Sequence, residues 1–236
     1  MPLRTSIACV LFVITTSVHA EDLQWYTGVS SSVGRMLMED NSHGNTIGTG
    51  QNIGGIVDGA LVEDDVRDWS NGLGASVGVE SGAWRAEVEG IWRYRSDWDV
   101  SAITPSIGTV TNIFTNLSTT TLMLNGMRRG AFAGNWYWEA GAGIGIVRKK
   151  FAAEYIERAQ SRSQPDLIID SNRTLHDFAW QVFAGLAWQF GDHWALHSRY
   201  RYMDLGELET ASFRGRSARV TGDLASHELT IGFQYR

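Results

Sequence analysis

The chain has 236 residues, 26 acidic and 20 basic, and its formal charge of −6 offers no basic field for nucleic acid. Its 26 Gly, 10 Trp and only 3 Pro describe crowded, aromatic-rich extended segments with few breakers. The single cysteine, Cys9, excludes a disulfide framework and a cysteine metal site, and the length fits one domain.

At the amino terminus Arg4 precedes an apolar run from Ile7 to Ile14, which closes on Val18-His19-Ala20, a small-x-small cleavage pattern. That pattern predicts a signal peptide over 1–20 and a mature domain over 21–236. Cys9 lies inside this segment, too early to be a lipoprotein acylation site. No later stretch approaches the roughly 20 apolar residues of a helical span, so a helical membrane protein is excluded.

Alternation of apolar and polar residues then predicts eight strands, at Gln24–Met38, Trp69–Glu80, Trp84–Arg95, Thr119–Ala131, Trp136–Lys149, Leu175–Phe190, Trp194–Met203 and Ala225–Tyr235. The seventh is the clearest, with Trp194, Leu196, Tyr200 and Tyr202 on one face and His197, Arg199 and Arg201 on the other. Such a period of two cannot lie on one helical face. Connections alternate between tight turns, at Ser81-Gly82, Phe132–Asn135 and Gly191–His193, and long segments beginning near Glu39, Ser96, Phe151 and Asp204. The prediction is an all-β, eight-stranded antiparallel transmembrane β-barrel of a Gram-negative outer membrane. It has short periplasmic turns, four long extracellular loops and both termini in the periplasm.

The apolar faces are assigned to lipid: Leu73, Ala75, Val77 and Val79 in the second strand, Ile144 and Ile146 in the fifth, Phe178 to Phe190 at alternate positions in the sixth, and Leu229, Ile231, Phe233 and Tyr235 in the last. Trp25 opens the first strand; Trp84, Trp136, Trp138, Trp188 and Trp194 fall near the turns, and Trp69, Trp92, Trp98 and Trp180 near the loops, giving two membrane-interface girdles. Arg35 shares the parity of Trp25, Val29 and Val33, so it either snorkels at the outer rim or marks a register shift. The opposite parity carries Glu80, Arg85, Glu87, Glu89, Arg93, Arg95, Arg129, Glu139, Arg199, Arg201 and Glu228. These charges are assigned to the lumen, as a static network filling a narrow interior or as the lining of a gated conduit. The rival fold is a secreted lipocalin-like barrel, with the apolar face inward around a ligand.

In its last third, FAWQVFAGLAWQFGDHWALHSRYRYMDLGELE and the closing HELTIGFQYR, the chain resembles the small eight-stranded outer-membrane proteins of the opacity-type porin family. The Gly-containing sixth strand, the Gly-Asp turn, the YRYMDLG end of the seventh strand and the alternating last strand carry the resemblance. It implies the fold over the whole mature chain and no chemistry. One departure is Arg236, which stands where such proteins usually offer a terminal aromatic to the barrel-insertion machinery, although Phe233 and Tyr235 retain an aromatic signal.

The first loop ends in Glu63, Asp64, Asp65 and Asp68, either a solvated charge run or a divalent-cation collector. The third mixes Glu154, Glu157, Arg158, Arg162 and Asp166, and the fourth carries Arg214, Arg216 and Arg219, suited to lipid phosphates or to water. For catalysis, His197 and Ser198 point to opposite faces of a strand, as do His176 and Asp177, and neither pair has a third partner. The expectations are therefore no catalytic residue, no metal and no cofactor. The expected role is structural or surface-exposed, with a narrow solute channel or a loop-borne adhesin as alternatives. Expected partners are outer-membrane lipid and lipopolysaccharide, the insertion machinery and a host or surface ligand at the loops; the chain is expected to be a monomer.

Overall fold

The computed structural model describes residues 23–44, 66–104, 109–157, 167–209 and 219–236. The predicted signal segment and the loop residues Glu63, Asp64, Asp65, Arg158, Arg162, Asp166, Arg214 and Arg216 lie outside the described residues. Eight strands form one closed barrel in chain order: β1 (Gln24–Gly44), β2 (Val66–Ser81), β3 (Trp84–Thr104), β4 (Thr109–Ala133), β5 (Trp136–Glu157), β6 (Leu167–Phe190), β7 (Trp194–Glu209) and β8 (Arg219–Tyr235). Every neighbouring pair is antiparallel, and β1 pairs with β8 from Thr27↔Tyr235 to Gly44↔Arg219 to shut the wall. Closure leaves no unpaired sheet edge among these strands.

The tight turns fall where expected. Gly82, Gly134 and Gly191 take φ of 57°, 55° and 71°, a left-handed geometry that glycine adopts without a Cβ penalty. The other strand ends differ from the sequence reading, because β3 to β6 run 21, 25, 22 and 24 residues and extend into the segments assigned to loops. The β4–β5 ladder continues up to Thr111↔Glu157. Over these ends the hydropathy alternation of the sequence fades while backbone pairing continues. Periodicity therefore placed the strand ends too early.

Face parity explains the wall. Leu73, Val77, Val88, Leu122, Leu124, Ile144, Ile146, Phe178, Val182, Leu186, Leu229, Ile231 and Phe233 are all exposed on the outside, while charged side chains between them in sequence are buried inside. This is the inverse of a lipocalin-like barrel. A soluble protein rarely presents a continuous apolar surface of that extent.

One lumen assignment is overturned. Between Arg93↔Thr119 and Ser96↔Leu117 the register shifts, so that Tyr94 and Arg95 together oppose Ser118 in a β-bulge. Arg95 therefore points outward and binds Asp97 (Nε–Oδ1, 2.7 Å) instead of joining the lumen charges. Arg35 is also outside, opposite Trp69 in unbroken register and 5.6 Å from its ring, with the β1 irregularity higher up between Glu39 and Ser42.

Candidate functional site

The interior is the most elaborated part of the molecule. Inward positions of β2, β3, β4, β5, β7 and β8 carry five arginines and five glutamates, and the barrel closure brings them together as a ladder. At the turn end Arg85 reaches Glu80 (3.2 Å), Glu139 (2.6 Å) and the Gln234 amide oxygen (2.9 Å), with its guanidinium 3.9 Å over the Tyr26 ring. Arg129 lies between Glu80 (3.9 Å) and Glu139 (3.7 Å) and stacks at 4.1 Å on Tyr137. Arg236 closes this level by pairing with Glu80 at 3.1 Å.

One level higher, Arg199 bridges Glu139 (3.2 Å) and Glu87 (3.0 Å), and the Tyr26 hydroxyl donates to the other Glu87 oxygen at 3.0 Å. Above it Arg201 grips Glu89 with two N–H groups, each at 3.0 Å. Gln181 donates to Asn125 (2.6 Å) and Asn125 to Glu89 (3.2 Å), completing that carboxylate's shell. The top rung is Arg93, which holds Glu228 through Nε and through Nη2 (3.1 Å) and donates to Thr121 at 3.1 Å; Ser226 donates to Glu228 at 2.8 Å. Charge-assisted pairing of this kind offsets the cost of burying charge, although Arg201 Nε and Arg129 Nη2 are buried without a hydrogen-bond partner.

Toward the loops the filling changes character. Met36, Met38, Leu117, Met123, Val147, Phe151, Met203, Leu205, Leu208 and Leu224 form a buried apolar cluster above the ladder. Its edge is held by Lys149, whose ammonium donates to the Leu205 carbonyl (2.9 Å) and meets Asp177 at 3.2 Å. A second bulge makes this cap. Leu205 and Gly206 sit between Asp204↔Ala225 and Glu207↔Asp223, Gly206 takes φ of 71°, and both Leu205 and Leu208 turn inward.

A family model described as "Outer membrane protein beta-barrel domain" matches residues 6–236. The chain belongs to this outer-membrane β-barrel family. Among solved structures, Neisserial surface protein A is similar to this barrel at 11% identity and a TM-score of 0.49, over 90% of this chain and 97% of that one. Ail, the attachment invasion locus protein of Yersinia pestis, is similar at 11% identity and a TM-score of 0.39, over 89% and 97%. The N-terminal barrel domain of Pseudomonas aeruginosa OprF is similar at 9% identity and 0.33, over 88% and 96%. No curated protein matches the chain.

In this outer-membrane barrel Trp25, Trp69, Trp84, Trp92, Trp136, Trp138, Trp188 and Trp194 are all exposed on the outer wall. Trp136 stacks on Trp188 at 6.1 Å and Trp194 meets Tyr235 edge-on at 5.0 Å, forming a band beside the turns. Trp180 is half-buried against Tyr202 at 5.5 Å and, because β6 starts at Leu167, sits nearer mid-strand than its predicted place. The Trp98 side chain lies outside the described residues.

His197 is buried in the lumen and Ser198 faces out, so the two stay apart. Asp68, read as part of an acidic run, accepts the backbone N–H of Trp69 and of Asp97, each at 2.7 Å, tying β2 to β3. Sequence reasoning missed the neutral members of the ladder, Tyr26, Asn125, Gln181 and Gln234. All four share the inward parity of the charged residues on their strands, and parity was the signal that would have found them.

Proposed function

We propose that this outer-membrane barrel is a closed, non-enzymatic scaffold with a structural or surface-exposed role, its chain ends on the periplasmic side and its long strand ends outside. One observation carries the reading: among the described residues the interior is filled by forked Arg–Glu pairs below and an apolar cluster above. An eight-stranded barrel encloses just enough room for such side chains. A conducting path would have to part Arg93 from Glu228 and Arg201 from Glu89, and then wet the methionine and leucine cap.

The surface-exposed half of the reading is favoured by β3 to β6. A transmembrane strand needs about 9–11 residues, and these four have roughly twice that, so they lift their connections clear of the lipid. Planar-bilayer recording of the folded protein tests the scaffold, with no stepwise conductance expected. Regular steps would replace the scaffold with a narrow solute channel. Altered lipid A in overproducing cells would contradict the non-enzymatic part.

A further inference from the structure

The outer wall carries a cavity of about 540 Å³ on its loop side, lined among others by Trp92, Tyr94 and Arg95 of β3, Asn116 of β4, Lys150 of β5 and Thr174 of β6. Its volume is that of a small-molecule site. We propose that it binds the phosphorylated disaccharide head of one lipid A molecule from the outer leaflet, an inference that rests on the orientation given under Proposed function.

The vertical order of side chains on this face matches such an amphiphile. Leu122, Ile146 and Phe178 form one exposed apolar row across β4, β5 and β6, suited to acyl chains. Arg148 follows two residues beyond Ile146, in register with Thr120 and His176, and Lys150 two beyond that, in register with Ser118 and Thr174; both cations are exposed. The β3 bulge adds Arg95 at the cavity's other side, with Asp97 accepting its Nε–H. Strands lie about 4.8 Å apart, so cations on β3 and β5 are spaced by about 10 Å.

That spread fits a head group with two separated phosphates better than a phospholipid with one. Between the cations stand Asn116, Ser118 and Thr174, donors and acceptors for sugar hydroxyls. Trp92 and Tyr94, set edge to face at 5.7 Å, present 50% and 62% of their surfaces, a platform for a pyranose face at the lipid boundary. Without the bulge Tyr94 and Arg95 would fall on opposite faces of the wall. The irregularity is what completes the site.

The test uses the full folded barrel in a non-ionic detergent, titrated with bisphosphorylated lipid A and, separately, with phosphatidylglycerol, and read by native mass spectrometry. Saturable binding of one lipid A is expected, weakened about tenfold or more by the double variant R95Q/K150Q. R128Q, which alters an exposed arginine beside the turns, should leave it unchanged. Every variant is checked for the heat-dependent SDS mobility of a closed barrel. Undiminished affinity in R95Q/K150Q, equal binding of phosphatidylglycerol, or loss in R128Q instead would overturn the site. Orientation is read separately, by impermeant-reagent labelling of a T49C variant on intact cells. Absence of labelling would sink the orientation, and with it lipid A's access, whatever the affinity in detergent.

Discussion

Arg201 and Glu89 show what a buried charge requires here. Each of two guanidinium N–H groups meets a carboxylate oxygen, and Gln181 and Asn125 occupy positions that water would otherwise take. Removing one partner strands the other's charge in a buried site. R201A is expected to cost about 3–5 kcal/mol of folding free energy in urea titrations from vesicles, whereas the joint change R201M/E89L should lie near neutral or be stabilising. A double variant as unstable as the single would mean that the pair contributes more than mutual neutralisation. Arg35, stacked on Trp69 at the outside, is a contrasting case: R35A should cost only about 0.5–1 kcal/mol by the same titration. The lumen residues were legible because Arg and Glu repeat at alternate positions of strands whose other face is apolar. Their partners were not. Arg93 meets a glutamate 135 residues away, and which one it meets depends on the stagger of strands around the barrel.

At the scale of the strand, period-two patterning identified all eight elements because lipid on one side and packed charge on the other enforce it for about ten residues. It failed at two kinds of place. Beyond the lipid no medium imposes alternation, so the upper halves of β4 and β6 carried no signal. At the bulges one extra residue reverses parity, which sent Arg95 out and Leu208 in; no composition cue marks Tyr94-Arg95, while Gly206 is a weak one. Glycines inside the strands make room for the ladder. A Cβ at Gly143 would lie 2.0 Å from the Asn125 amide oxygen. G143V should therefore dislodge Asn125 from Glu89 and abolish the SDS-resistant form, whereas G191A, at the positive-φ turn, should cost about 1 kcal/mol and leave that form intact. An SDS-resistant G143V barrel would show that the wall can give way there.

For the molecule as a whole, the closed wall predicts that protein from the outer-membrane fraction migrates differently in SDS before and after boiling. Identical mobility would be incompatible with a barrel that holds its seam in detergent. The seam also bears on how the molecule is made. Arg93–Glu228 and Arg85–Gln234 join β3 to β8 across 135 and 149 residues of sequence, and Arg199–Glu87 joins β7 to β3 across 112. A sheet halted after six strands would hold Glu87, Glu89 and Arg93 without the charged partners that β7 and β8 bring, and Arg85 without Gln234. Contacts of such sequence separation form late and slowly. Assembly is thus close to all-or-none: the last hairpin to arrive is the one that neutralises Glu87, Glu89 and Arg93, and a chain lacking it leaves those charges unpaired in the membrane.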